Sequence, residues 1–200
     1  MAWPGLAERL EGRLVVLEPL APSQEAGLYE AAQDSDWRFM PWNAHASRET
    51  FHRWLEDAIE SGRRGADVTL ATLEAATGRP LGSTRFQSLR PEHRGLEIGW
   101  TWLARGAWST GINVEAKLLM LEHAFDRLAC MRVEFKADAR NARSRGALEA
   151  LPARFEGVFR KHMLVGDDRS TVRDSAYYSI VDDEWPGVRA ALERRLTDKR

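Results

Sequence analysis

The chain has 200 residues, a formal net charge of −1, 44% hydrophobic and 30% charged residues. That length suits one domain with a sizeable core, and the proportions are those of a folded globular chain rather than a disordered one. Near-zero charge without a basic run argues against nucleic acid as the main partner, and no apolar stretch is long enough to cross a membrane or act as a leader.

In chain order, Leu14 to Leu17 reads as a short strand closed by Pro19. Residues 23–32 and 47–60 read as helices. Ser47 is placed to cap the second, whose apolar face is Phe51, Trp54, Leu55 and Ile59. Between them lies an aromatic loop, 34–43. Its Asp34 and Asp36, beside Trp37, suit either plain solvation or attraction of a cationic amine. Strands at 68–73 and 81–86 flank the turn Thr77-Gly78-Arg79-Pro80, and a further strand runs from Gly95 to Leu103.

Next comes Trp108-Ser109-Thr110-Gly111-Ile112-Asn113, a tight loop opening a helix. Its small residues let several backbone N–H groups converge, and with the positive end of the helix they form a site suited to phosphates. Val114, Leu118, Leu121, Phe125 and Leu128 set the buried stripe of that helix, and Glu115, Lys117, Glu122 and Asp126 are expected on its other faces. Residues 131–137 alternate as a strand. Strands around 154–165 and 175–181 flank the turn Gly166-Asp167-Asp168, and a charged helix covers 185–196. Mostly antiparallel strands followed by a strand–helix–strand unit predict an α/β domain with a mixed sheet.

The phosphate loop is neither GxxxxGK[ST] nor GxGxxG, which disfavours an ordinary nucleoside triphosphate or NAD. Glu97, on the strand just upstream, is placed to do proton chemistry beside the bound ligand, or to pair with a nearby arginine. The chain holds eight tryptophans. Trp37 and Trp42 with Trp54, and Trp100 and Trp102 with Trp108, either complete a core, line a homodimer contact or wall an acceptor channel; Trp100 and Trp102, two apart on one strand, share a face. The five histidines lack metal-ligand spacing, so no metal is expected. Among them His162 is a better site candidate than His123, which sits within the helix. A lone Cys130 reads as a packed thiol in a reducing cytoplasm.

The segment from Leu96 to Ala116 resembles the GNAT acetyltransferase superfamily, and within it the RimJ/RimL-type N-acetyltransferases. Trp108, Gly111 and Asn113 occupy the defining places of its Q/R-x-x-G-x-G/A loop. Asn141-Ala142-Arg143-Ser144, then Leu148 to Leu151, then Phe155-Glu156-Gly157 resemble its N-x-x-S helix and the glycine-phenylalanine start of the following strand. Arg173 to Ile180 resembles its last long strand, so the likeness runs from about Leu14 to Trp185.

The resemblance implies a single GNAT-type α/β (α+β) domain over 1–200, with a core at about 14–185 and a C-terminal helix at about 185–197. Its sheet would be mixed and mostly antiparallel, flanked by helices, with splayed central parallel strands. Acetyl-CoA would be the acetyl donor, with its pyrophosphate on Trp108, Ser109, Thr110, Gly111, Ile112 and Asn113. Its pantetheine arm would lie along Thr101, Trp102 and Leu103, near Asn141 and Ser144. Glu97 would act as general base in direct attack by a primary amine, such as a protein N-terminus, within a ternary complex. Trp37, Trp42, Trp100 and His162 are the acceptor-side candidates.

Three departures stand out. Asn113 replaces a small residue, Leu148 stands where many relatives have the tyrosine that protonates the thiolate, and Leu151 to Phe155 lacks the usual glycine. Ser144 is then the nearest motif-matched hydroxyl, as a donor to the leaving sulfur or only to its own helix start. Two other outcomes fit the same scaffold: acetylation of a small amine (amino acid, polyamine or antibiotic), or a CoA-binding sensor without turnover.

Overall fold

β-rich runs punctuated by turns pair into one sheet of order β1-β2-β3-β4-β5-β6-β8-β7 in the computed structural model, which describes residues 3–198. The ends of the expected 1–200 domain fall outside those residues. The strands are β1 (Leu10–Glu11), β2 (Val15–Pro19), β3 (Val68–Glu74), β4 (Pro80–Arg90), β5 (Gly95–Leu103), β6 (Arg132–Asp138), β7 (Arg154–Val165) and β8 (Thr171–Val181). The helices are α1 (Glu25–Gln33), α2 (Arg48–Arg63), α3 (Ile112–Glu122), α4 (Ala142–Glu149) and α5 (Trp185–Thr197). Among the described residues only β5 and β6 run parallel, joined by the strand–helix–strand connection through α3.

The period-two pattern of β3 shows how the sheet is covered. Val68 and Leu70 join a core with α3 and α5, while Ala71 and Leu73 join a second core with α1 and α2. Buried on both faces, β3 reads as a continuous apolar run. Ser47 does cap α2, accepting from the Thr50 N–H at 3.0 Å, and Phe51, Trp54 and Leu55 are buried beneath it.

Three details depart from the sequence reading. The two-residue β1 carries no periodic signal. Pro19 ends β2 rather than following it, beyond Val16 and Leu17 where β1 pairs, so no ladder bond needs its missing N–H. Glu115 and Lys117 are buried rather than outward, because α3 lies between the sheet and α5 and has little solvent face. Glu115 is satisfied by accepting from the Leu14 and Val15 N–H groups, the latter at 2.8 Å.

Candidate active site

β5 and β6 share only three residue pairs, Gly95–Arg132, Leu96–Val133 and Glu97–Glu134. Beyond them β5 pairs with β4 alone and β6 with β8 alone, so the sheet opens. On β5 the register steps from Arg85–Gly99 to Ser83–Trp102, a bulge in which Trp100 takes a left-handed φ of 48°. Past the bulge Thr101 turns toward α3, meeting Thr84 and Lys117.

At one mouth of the opening lies the phosphate loop. Gly111 (φ 98°) and Ser109 (φ 62°) both adopt left-handed conformations that fold the chain tightly into α3. Thr110 Oγ1 donates to Ala107 O at 2.8 Å and Trp108 Nε1 to Leu103 O at 2.9 Å, bracing the loop against β5. Two arginines to which the sequence assigns no role complete this end: the Arg143 guanidinium lies 3.7 Å above the Trp108 ring, and Arg105 lies 5.5 Å from it. The Asn113 side-chain oxygen is buried without a hydrogen-bond partner. An amide can rotate to present its NH₂ instead, so this orphaned position suits a phosphate oxygen. Cationic side chains, a helix N-terminus and an unmet amide together fit the pyrophosphate of CoA.

The opening deepens into a cavity of about 680 Å³, whose lining includes Trp108, Ser109 and Asn113 from the loop, Thr101, Trp102 and Leu103 from β5, Lys117 from α3, and Asn141, Ser144 and Leu148 from the α4 segment. Glu97, Gln87, Lys136 and Trp100 line the same cavity. Thr110, Gly111 and Ile112, also expected to hold the pyrophosphate, are not among the residues that line it. Asn141 Oδ1 accepts from the Ser144 N–H at 3.0 Å, so Asn141 caps α4 and holds Ser144 at the cavity wall.

Glu97 is 2% exposed and sits where the strands part. Its carboxylate accepts from Gln87 Nε2 at 2.7 Å and Ser88 Oγ at 3.2 Å, and pairs with Lys136 Nζ at 3.0 Å. The cation beside it is thus a lysine on β6 rather than an arginine. Glu134, its register neighbour, is neutralised separately by Arg90 and Arg132, each at 2.9 Å. His162 lies on the adjoining strands, with Nδ1 3.0 Å from Ser175 Oγ and Nε2 3.3 Å from Tyr177 Oη. Burial, then the Lys136 and Arg173 charges, lower its pKa and favour the neutral imidazole.

Trp100 and Trp102 do share a face, but their surroundings differ. Trp102 is buried with Trp37, Phe51 and Trp54, while Trp100 stays half-buried, edge-on to Trp42 and covered by Arg85, which pairs with Asp67 at 3.1 Å. Trp37 stacks on His45 and donates to Ala32 O, placing it in the helical core behind the cavity. The aromatic loop is tied across to the β7–β8 turn, with the Gly166 N–H donating to Pro41 O at 2.8 Å and the Asn43 N–H to Asp167 Oδ1 at 2.9 Å. Asp36 reaches toward Arg143 at 3.9 Å, and hydrogen bonding from Arg38 holds its pKa down at about 2.

Strand alternation on β6 could have pointed to Lys136, two residues beyond Glu134 on the same face. Arg105 and Arg143 give no such signal, because their meeting over Trp108 is tertiary.

Comparison with known proteins agrees with this geometry. A family model described as an acetyltransferase (GNAT) domain matches residues 14–154. A provisionally assigned acetyltransferase structure from T. thermophilus is 38% identical, with a TM-score of 0.84, covering 98% of this chain and 99% of that one. A GCN5-related N-acetyltransferase from Brucella melitensis is 29% identical, with a TM-score of 0.87, covering 95% of this chain and 86% of that one. YdaF of Bacillus subtilis (strain 168), provisionally named a ribosomal N-acetyltransferase, is 26% identical over 176 residues, which are 86% of this chain and 94% of YdaF. With more than half its length matched by the family model and the splayed sheet in place, this chain belongs to the GNAT acetyltransferase family.

Proposed function

We propose that the protein transfers the acetyl group of acetyl-CoA to a primary amine, with a protein N-terminus as acceptor. The observation that carries this is the continuous opening between β5 and β6, which joins the cationic loop to Glu97 in one cavity. The nucleotide end of CoA would meet the loop amides, Arg105, Arg143 and Asn113. The pantetheine arm would follow the unpaired edge of β5 past Thr101 to Leu103, replacing strand partners that β6 no longer supplies.

Bound CoA supplies an activated acyl thioester. The chain's own contribution is placement and proton handling. Glu97 receives the proton of the attacking amine, directly or through one water, and Lys136 with Gln87 keeps its carboxylate in place. Trp100, with Trp42 edge-on to it, shapes the acceptor side, while Trp42 and His162 are not themselves among the residues lining the cavity. Ser144 donates a hydrogen bond toward the sulfur from the start of α4.

The peptide N-terminus as acceptor draws support from the likeness to YdaF and its ribosomal N-acetyltransferase name. Acceptors should be screened with acetyl-CoA across N-terminal peptides, amino acids, polyamines and aminoglycosides, reading product mass and free thiol. Acetylated peptide is expected. Preference for a small amine would move the acceptor class, and CoA binding with no product would identify a sensor.

A further inference from the structure

One buried cation takes no part in that chemistry. Lys117, on α3, is 6% exposed, yet its Nζ touches no carboxylate among the described residues. It donates to Thr101 Oγ1 at 2.8 Å and Thr84 Oγ1 at 3.0 Å, and those two hydroxyls already bond each other at 2.8 Å. An ammonium normally enters a protein interior only with a partner charge, so a lysine held by neutral hydroxyls is costly to keep charged. Burial accordingly lowers its pKa from 10.5 to about 7, the range in which an amine exchanges a proton at neutral pH.

Its place in the cavity gives that exchange a purpose. Lys117 lines the same cavity as Ser144 and Leu148, and its Nζ is tied to Thr101 on the β5 edge that the pantetheine arm would follow. Leu148 cannot donate a proton, and a serine hydroxyl is a far weaker acid than a thiol. Lys117 can donate one, from an ammonium whose partners are two hydroxyls. Charged groups on the elements around it are engaged elsewhere: Glu115 with the β2 backbone, Arg85 with Asp67, Glu97 with Lys136, and Arg143 over Trp108. The other charged groups lining the cavity are Asp36, Asp138, Arg173 and Arg195.

We propose that Lys117 is the general acid that protonates the departing CoA thiolate. The proposal rests on the acetyl-transfer reading. As the amine nitrogen bonds to the acyl carbon, the carbon–sulfur bond breaks and its electron pair passes to sulfur. Sulfur takes a proton from the Lys117 ammonium, leaving a neutral amine held by Thr101 and Thr84. Glu97 takes the proton of the acceptor amine and yields it to solvent, and solvent returns one to Lys117, so the turnover balances.

Lys117→Met keeps the side-chain volume and removes the acid. Without substrate, the Lys117 Nζ resonance of labelled protein reports its own ionisation by NMR, and it should titrate near neutrality rather than in the ordinary lysine range. In turnover, kcat should fall about a hundredfold, the contribution expected of a positioned acid, while the Kd for CoA holds. Wild-type kcat should decline as pH rises through neutrality, because the acid must be protonated, and the variant should lose that limb. Thr84→Val, which removes one partner of the ammonium, should shift the limb to lower pH.

A Lys117 Nζ that keeps its proton to the ordinary lysine range, or an unchanged kcat and pH limb, overturns the proposal and leaves acetyl transfer standing. Stoichiometric acetylation of Lys117 detected by mass also overturns it, by making the lysine a nucleophile. Failure of wild type to bind CoA removes the acetyl-transfer reading and this proposal with it.

Discussion

The charge on Lys117 also has a thermodynamic consequence that needs no substrate. A pKa lowered from 10.5 to about 7 means that burial disfavours the charged form by about 5 kcal/mol. In the unfolded chain the same lysine keeps its proton until about pH 10.4. Between about pH 7 and pH 10, the unfolded state therefore binds more protons, and stability rises with pH by up to about 1.4 kcal/mol per unit. Below neutrality the full penalty is present. Lys117→Met lacks it, and Thr84 and Thr101 still satisfy each other in the variant. The variant should thus be several kcal/mol more stable than wild type near pH 6, with the gap closing toward pH 10. Urea unfolding at a series of pH values, with equal m-values, gives the two curves. Cys130, whose pKa burial raises to about 12, also responds at high pH, but equally in both proteins, so the difference isolates Lys117. A gap that stays constant from pH 6 to pH 10 would refute the reasoning, showing that the site is hydrated and the lysine ordinary.

Glu97→Gln should retain CoA affinity while kcat falls by roughly 10²–10⁴, as for loss of a positioned base; normal turnover at neutral pH would make Glu97 structural. Arg143→Ala should weaken CoA binding about tenfold to a hundredfold by calorimetry, the worth of one charge-assisted contact, and flatten its salt dependence. An unchanged Kd would remove Arg143 from the phosphate site. Ser144→Ala should lower kcat about tenfold, the scale of an ordinary hydrogen bond, with little change in Kd; a loss of about a thousandfold would give Ser144 the proton-donor role instead.

What could be read from the chain was what periodicity and turn chemistry encode. The β5–loop–α3–β6 order follows from alternation around Leu96 and Val133 and the four-and-three spacing of Leu118, Leu121 and Phe125. The capping of α2 by Ser47 is equally local. The errors came from tertiary packing. A helical stripe assigns Glu115 and Lys117 to solvent on the assumption that a helix has a wet face, and α3, covered on the other side by α5, has little of one. The bulge at Gly99–Trp100 is marked only by a glycine within the strand, although it decides that Thr101 meets Lys117. Cross-chain pairs such as Arg143 over Trp108 and Glu97 with Lys136 depend on which strands adjoin, which one sequence does not encode locally.

The brief pairing of β5 with β6 also makes the molecule mechanically two-part. Strands β1 to β5 form one half-sheet and β6 to β8 another, and a seam of three residue pairs joins them within the sheet. Backbone amides along the parted edges lack ladder partners and should exchange hydrogen with solvent faster than those of β3 or β8. A ligand lying along the seam replaces those partners and fastens the halves together. Ligand occupancy would then govern rigidity as well as chemistry, adding about 2.7 kcal/mol of stability at a hundredfold excess over Kd. The slowing of exchange should be concentrated along the seam.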